Sequence, residues 1–304
     1  VQLFRDDASY REMTHGADVP ELWPEICEQT TEKLNRFELF YEDATPFLYL
    51  KELIEGVRTN TEVRHVFVDE GQDYSMFQYE FLKKLFPHAR MTVLGDFGQA
   101  IFTHAMNLQE TDLPLKHLYG EAETSRYFLV RSYRSTREIV AFTKFLLPSG
   151  EGEAIVPFDR SGRKPFLSKA DSNEERAERM AADLAALRAE GFASIAVITK
   201  TAAESHEAYE ALSAWGCPDL RLVTKKTPTF EKGTLVIPAY LAKGVEFDAV
   251  LIYDASSRTY HRESERKLFY TACTRAMHRL QLYATAEWTP FVLALDSRLY
   301  EVAQ

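Results

Sequence analysis

The feature that most constrains this chain is a recurring pair: a short, continuously apolar run, then a stretch of helical period. HVFVDE at 65–70, MTVLGD at 91–96 and SIAVITK at 194–200 are runs of this kind. An apolar run without alternation suits a strand covered on both faces, as in a parallel sheet flanked by helices. After the first run, Phe77, Phe81, Leu82 and Leu85 mark the inner face of a helix that Ser75 can cap and Pro87 stops. The pattern restarts near residue 127 with YFLVRS, then TREIVAFTKFLL up to Pro148. A helix over NEERAERMAADLAALRAEG follows, with Ser172 and Glu175 as a capping box and Gly191 as its stop. Further strands are predicted at 220–224, 233–239 and 248–253, with a helix at 203–214. A helix from Ser264 to Met277 and a final strand, RLQLYAT, close the set. Alternation of this kind, twice over, predicts α/β architecture with mostly parallel sheets. At 304 residues, two domains are expected.

Upstream, FLYLKELIEGV reads as a helix with Leu50, Leu53, Ile54 and Val57 on one stripe, while residues 1–34 read as irregular, broken by Pro20 and Pro24. The net charge of −10 argues against a broad basic surface for nucleic acid, though a local patch is compatible with it. Cys27, Cys217 and Cys273 are scattered without metal or redox spacing, which fits a reducing cytoplasm. No apolar run reaches 18 residues, the length of a membrane span.

The first apolar run ends in Asp69 and Glu70, with Asp73 three residues on. Ligands of open α/β sheets bind beyond the carboxyl ends of strands. There, an aspartate can hold Mg²⁺ through oxygen, and a neighbouring glutamate can polarise a water. Acidic strand ends also serve as plain helix caps, so this stretch alone leaves both readings open. The next strand also ends in an acid, within GDFGQAIF at 95–102, where Gln99 can sense a terminal phosphate. Positive charge comes from distant segments: Arg134 in RSYRST and Arg275 in YTACTRAMHRL, where it is expected late in a helix. Arginine's planar, permanently charged fork suits phosphate.

Five segments, DEGQD (69–73), GDFGQAIF (95–102), SYRSTREI (132–139), AKGVEFDAV (242–250) and RKLFYTACTRAM (266–277), resemble motifs II to VI of superfamily 1 helicases of the UvrD/Rep type, in that family's order. YEDATPFLYLKEL and VIPAYLAKGVEFDAV resemble the HelD, helicase IV-like branch. The resemblance implies two RecA-like parallel-sheet motor domains, the first incomplete: residues 1–126 for the first and 127–304 for the second. It implies ATP and Mg²⁺ as cofactors. Asp69 would hold the metal, Glu70 activate water, and Gln99, Arg134 and Arg275 meet the phosphates. Tyr133 would stack on adenine, and Gly244 and Glu246 would flank the ribose. Phe102 and Lys243 are candidate nucleic-acid contacts. The HelD likeness implies RNA polymerase as partner and recycling of its complexes as the task. The alternatives are a DNA helicase of repair or replication and a non-catalytic protein-binding module.

The pattern departs from the family in three places. The sequence holds no GxxxxGK[ST] phosphate loop, so an upstream part of the same protein is expected to supply it, and the chain alone is expected to be inactive. His104 and Met106 stand where the family has tryptophan and glycine, with Ala105 between them in the arginine's place. Pro238 and Tyr240 stand where the fifth motif usually begins with threonine and histidine.

Overall fold

The computed structural model describes residues 23–56, 59–96, 112–148, 152, 155–227 and 232–303. In chain order the elements are helices α1 (Trp23–Asn35) and α2 (Tyr41–Glu55), strand β1 (His65–Val68), α3 (Met76–Leu85), β2 (Arg90–Val93), α4 (Asp112–Tyr119), β3 (Arg131–Ser132), α5 (Arg137–Thr143), β4 (Val156–Pro157) and β5 (Phe166–Lys169). They continue with α6 (Asn173–Ala189), β6 (Ser194–Thr199), α7 (Ala202–Ala214), β7 (Leu220–Leu222), β8 (Gly233–Pro238), β9 (Phe247–Ile252), α8 (Arg266–Cys273), β10 (Ala276–Ala284), α9 (Pro290–Leu293) and β11 (Glu301–Val302). The contacts divide the chain into two compact units, Val1–Val66 with Met76–Met91 and Phe67–Ser75 with Thr92–Gln304.

In the first unit, α2 packs on α3 through the Tyr49 ring, edge-on to Phe77 at 5.0 Å, and through a Glu52–Lys84 ion pair at 3.2 Å. Tyr79 of α3 is fully buried. The inner face of α2 therefore runs through positions 49 and 52. The predicted stripe lies about a third of a turn away, and Leu50, Leu53 and Ile54 are 54%, 64% and 75% exposed. Val57 falls outside the described residues. The region read as irregular contains α1, which accommodates Pro24 because it lies in the first turn, where its missing N–H has no helical partner to lose.

The second unit is built on seven strands in the order β11-β5-β10-β9-β6-β8-β7, every pairing parallel. Successive side chains of a strand point to opposite faces. Ala196, Ile198, Leu235, Ile237, Val250 and Ile252 face one side, where α5, α8 and α9 contribute Phe142, Phe269 and Phe291. Ile195, Val197, Val236, Ala249 and Leu251 face the other, where α6 and α7 contribute Met180, Leu184 and Leu212. The continuous apolar runs are explained by this: both faces are covered. The cap of α6 forms as expected, with Ser172 Oγ accepting from the Glu175 N–H at 3.1 Å. Glu175 reaches past the cap to accept from the Asp171 N–H at 2.6 Å. Gly191 ends the helix at φ +94°, a conformation that costs glycine little.

Three expectations need correction. YFLVRS is strand only at Arg131–Ser132, and Tyr127–Val130 lie exposed. HVFV is a strand, yet only Val68 is buried, because among the described residues β1 pairs with β2 alone and Phe67 stays 69% exposed. The helix predicted for 264–277 ends at Cys273, and β10 starts at Ala276, so Arg275 sits in the turn between them. Strands β5 and β11 were not anticipated.

Glu204, in the first turn of α7, gives a pH-dependent element of stability. Burial, with Asp254 adding repulsion, pushes its carboxyl up to about 7, against the N–H groups of Lys200 and Thr201 and the charge of Arg176. Between its ordinary value of 4.5 and about 7, the folded chain holds a proton that the unfolded chain releases. This group's contribution to stability is therefore full below 4.5 and lost as pH rises through 7. Glu204→Gln is expected to gain on the order of 1–2 kcal/mol over the wild type at pH 8 and little at pH 4. Urea unfolding at the two pH values checks this, and an equal difference at both would count against it.

Candidate nucleotide site

The site starts at the end of β1. Asp69 is exposed, and its Oδ1 accepts from the Glu70 N–H at 2.9 Å. Glu70 adopts φ 52°, ψ 38°, the left-handed region that non-glycine residues visit rarely and at a cost. A single 3₁₀ turn follows, Gly71–Asp73. The Gly71 N–H donates to the Leu94 carbonyl at 2.7 Å. Gln72 is buried and holds both strand ends: its Nε2 donates to Glu70 Oε2 at 2.6 Å, and its Oε1 accepts from the Asp96 N–H at 3.0 Å. A Cβ on Gly95 would stand 2.6 Å from Gln72 Oε1 and 3.2 Å from the Gln72 backbone N, so this approach requires glycine. Sequence reasoning assigned Gln72 no role. The signal it offered was a lone amide between two acids, opposite a glycine-acid pair on the next strand.

Arg275 precedes β10 of the seven-stranded sheet, and Arg134 follows β3, which pairs with β4 in a separate two-stranded sheet. Ser135 Oγ donates to the Ala276 carbonyl at 2.6 Å, and the Thr136 N–H to Met277 at 3.1 Å, which fixes the YRST segment against the start of β10. The Phe247 N–H donates to the Arg275 carbonyl at 3.0 Å, which places Arg275 beside the start of β9. Glu246 immediately precedes β9 and accepts from Arg134 Nε at 2.5 Å. Arg160 donates to the Arg134 carbonyl. Asp69 and Asp96 thus stand at carboxyl ends of strands, as expected, whereas Glu246 and Arg275 stand at amino ends.

Arg275 is 1% exposed, its Nε donating to the Thr271 carbonyl at 3.1 Å and its Nη2 to Thr274 Oγ1 at 3.3 Å. Burial lowers its pKa to about 10, and the like charge of Arg134 adds to this, while Glu70, Asp96 and Glu246 oppose it. It remains a cation at neutral pH. Burial also pushes the Tyr270 hydroxyl up, helped by Asp96 and opposed by Arg275 and Arg134. Groups from five separate segments therefore share one field.

Lys243 is nearly buried, with Nζ 2.6 Å from Asp73 Oδ2 and 3.3 Å from Glu70 Oε2. Gly244 follows at φ +76°. Tyr133 is 61% exposed, its ring 5.2 Å from Phe158. Gln99 and Phe102 lie outside the described residues, as do His104, Ala105 and Met106. Among the described residues no group of three or more His, Cys, Asp or Glu side chains could hold a metal ion. Mg²⁺ does not need one, since it binds through one or two carboxylates and completes its shell with water and phosphate. Asp69 and Glu70 supply hard oxygen donors of that kind, so the residues present fit it.

Residues 34–109 match the UvrD/REP helicase N-terminal domain, and residues 234–283 match the UvrD-like helicase C-terminal domain. A probable DNA helicase of Mycoplasma pneumoniae is 23% identical over 242 residues, which cover 74% of this chain and 44% of the relative. A probable DNA helicase II homolog of Mycoplasma genitalium is 25% identical over 126 residues, 38% of this chain and 18% of the relative. The chain thus spans less than half the length of these curated relatives. The C-terminal domain of a possible DNA helicase from Lactobacillus plantarum WCFS1 is 34% identical at a TM-score of 0.50, over 57% of this chain and 99% of that one. Dbp5 of S. cerevisiae, bound to RNA and ADP–BeF3, matches at a TM-score of 0.50 and 11% identity, over 84% of this chain and 63% of that one, a likeness of fold alone. The fold is α/β of the RecA-like motor kind. These matches carry the resemblance to superfamily 1 helicases and lend no support to the HelD branch.

Proposed function

This chain belongs to the UvrD-like helicase family, and we propose that it is the motor region of an ATP-dependent DNA helicase, with residues 1–126 belonging to the first RecA-like domain and 127–304 forming the second. The observation that carries this reading is the gathering, at the amino ends of β9 and β10, of the buried Arg275 and the Arg134–Glu246 ion pair, with Lys243 of the preceding loop set on Glu70 and Asp73. Carboxylates and guanidiniums so arranged match the two needs of phosphoryl transfer, charge near the phosphates and a base near the nucleophile.

ATP supplies the phosphoanhydride and Mg²⁺ the charge that offsets the phosphates. The upstream phosphate loop would cradle the phosphates, and this chain's own residues supply the other groups. Asp69 would hold the metal. Glu70 orients the attacking water and takes its proton. Arg134 and Arg275 meet the charge that develops on the transferred phosphoryl group, and Gln99 reports the terminal phosphate. Tyr133 offers an exposed ring to the adenine, and Gly244 and Glu246 border the ribose. DNA is the partner to which the relatives' descriptions point. Phe102 is the candidate stacking contact.

The polymerase-recycling reading, with RNA polymerase as partner, rests on YEDATPFLYLKEL and VIPAYLAKGVEFDAV alone. One measurement separates the two: steady-state ATPase of the full-length protein, titrated separately with single-stranded DNA and with RNA polymerase at one fixed moderate salt. The expected result is stimulation by DNA of roughly tenfold or more, with polymerase inert. Tight polymerase binding with DNA-insensitive turnover would reverse the assignment.

A further inference from the structure

We propose that Lys243 is a positioning residue: its ammonium bridges Glu70 and Asp73, ties the 242–246 loop to the acidic turn after β1, and fixes where the Glu70 carboxylate stands. This deepens the reading of Glu70 as general base and rests on it. The alternative from sequence, a contact of Lys243 with nucleic-acid phosphate, requires an ammonium that reaches solvent. Here its side chain is 8% exposed and already lies between two carboxylates, at 2.6 Å from Asp73 Oδ2 and 3.3 Å from Glu70 Oε2.

Three features make the bridge more than a surface ion pair. First, taking an ammonium out of water is costly unless carboxylates compensate it, so removing one partner is felt by the others. Second, Lys243 and Gln72 Nε2 both reach the same oxygen of Glu70, Oε2. Two contacts on one carboxylate oxygen fix the plane in which the Glu70 carboxylate lies, and so where it can meet the attacking water. The uncommon backbone of Glu70, φ 52°, persists because its side chain is held at these points. Third, the loop that carries Lys243 turns at Gly244, φ +76°, and two residues later presents Glu246 to Arg134 at 2.5 Å. One short loop therefore grips the base with one side chain and a phosphate arginine with another. Movement of this loop would shift both together.

The test has two arms. In the nucleotide-free protein, lysines are acylated with an N-hydroxysuccinimide ester and read by mass spectrometry. Lys243 is expected to react roughly tenfold more slowly than the exposed Lys226 and Lys232. Asp73→Asn is expected to release it toward their rate. In the full-length protein, Lys243→Ala is expected to lower kcat about tenfold or more while KM for ATP moves less than about threefold, and Lys243→Arg to recover most of kcat. Lys243 as reactive as Lys226 without nucleotide and protected only by single-stranded DNA would overturn the bridge. Normal kcat in Lys243→Ala would overturn the positioning role. If Lys243 is protected but Glu70→Gln turns over normally, the general-base reading fails while the bridge stands.

Discussion

Glu70→Gln in the full-length protein is expected to reduce ATP turnover by about 10²–10⁴-fold, the range that a positioned general base contributes, and to leave nucleotide affinity within a few-fold. The substitution is well controlled by its surroundings. Glutamine has the same length and branching, and its one carbonyl oxygen can still accept from Gln72 Nε2, which now lies 2.6 Å from Glu70 Oε2. The left-handed backbone at this position is no worse for glutamine than for glutamate. Asp69 still accepts from the backbone N–H of residue 70, so the proposed metal carboxylate keeps its orientation. What disappears is one negative charge and one proton acceptor, and with the charge goes the ionic part of the Lys243 contact, whose other carboxylate, Asp73, stays at 2.6 Å. Steady-state phosphate release, with equilibrium titration of a fluorescent nucleotide, separates chemistry from binding. Turnover within a few-fold of wild type would remove Glu70 from the chemistry.

Much of the second unit was legible in the sequence because strands covered on both faces write themselves as unbroken apolar runs. SIAVIT shows this most clearly: Ile195 and Val197 face one layer of helices and Ala196 and Ile198 the other. The helices were bounded by local chemistry that tertiary structure had no reason to override, as at Ser172 and Gly191. Legibility failed where an apolar sequence was not followed by burial. FLYLKELIEGV has helical period, but α2 meets α3 through Tyr49 and Glu52, so period alone named the wrong face. YFLV reads as strand and lies exposed beside the two-residue β3. At the site, types of residue were legible and geometry was not. Nothing in YTACTRAM shows that Arg275 leaves the helix and is anchored in a turn by Thr271 and Thr274. Nor does AKGVEF show that its lysine turns to the acidic motif 170 positions upstream. Both depend on long-range pairings that a local pattern does not encode.

Arg275→Ala is expected to cut turnover by about 10³-fold or more, the lower end of what an inserted arginine supplies to phosphoryl transfer. The residue is built for more than capping a helix. A capping arginine lies at the surface, held by the weak field of the helix terminus, whereas Arg275 is 1% exposed and keeps its charge at neutral pH although burial lowers its pKa to about 10. The carboxylates of Glu70, Asp96 and Glu246 offset that burial, while Arg134 opposes it. Removing the guanidinium leaves those carboxylates with less compensating charge, so some loss of stability accompanies the loss of rate. The two effects are separated by Arg275→Lys, assayed well below the melting temperature of every variant. Lysine restores a cation but not the planar fork that engages two oxygens at once. The expected pattern is substantial recovery of thermal stability in Arg275→Lys with turnover still depressed by about 10²-fold or more. Full turnover in either variant would place Arg275 outside the phosphate site, and the shared field would then reduce to a scaffold that holds Arg134.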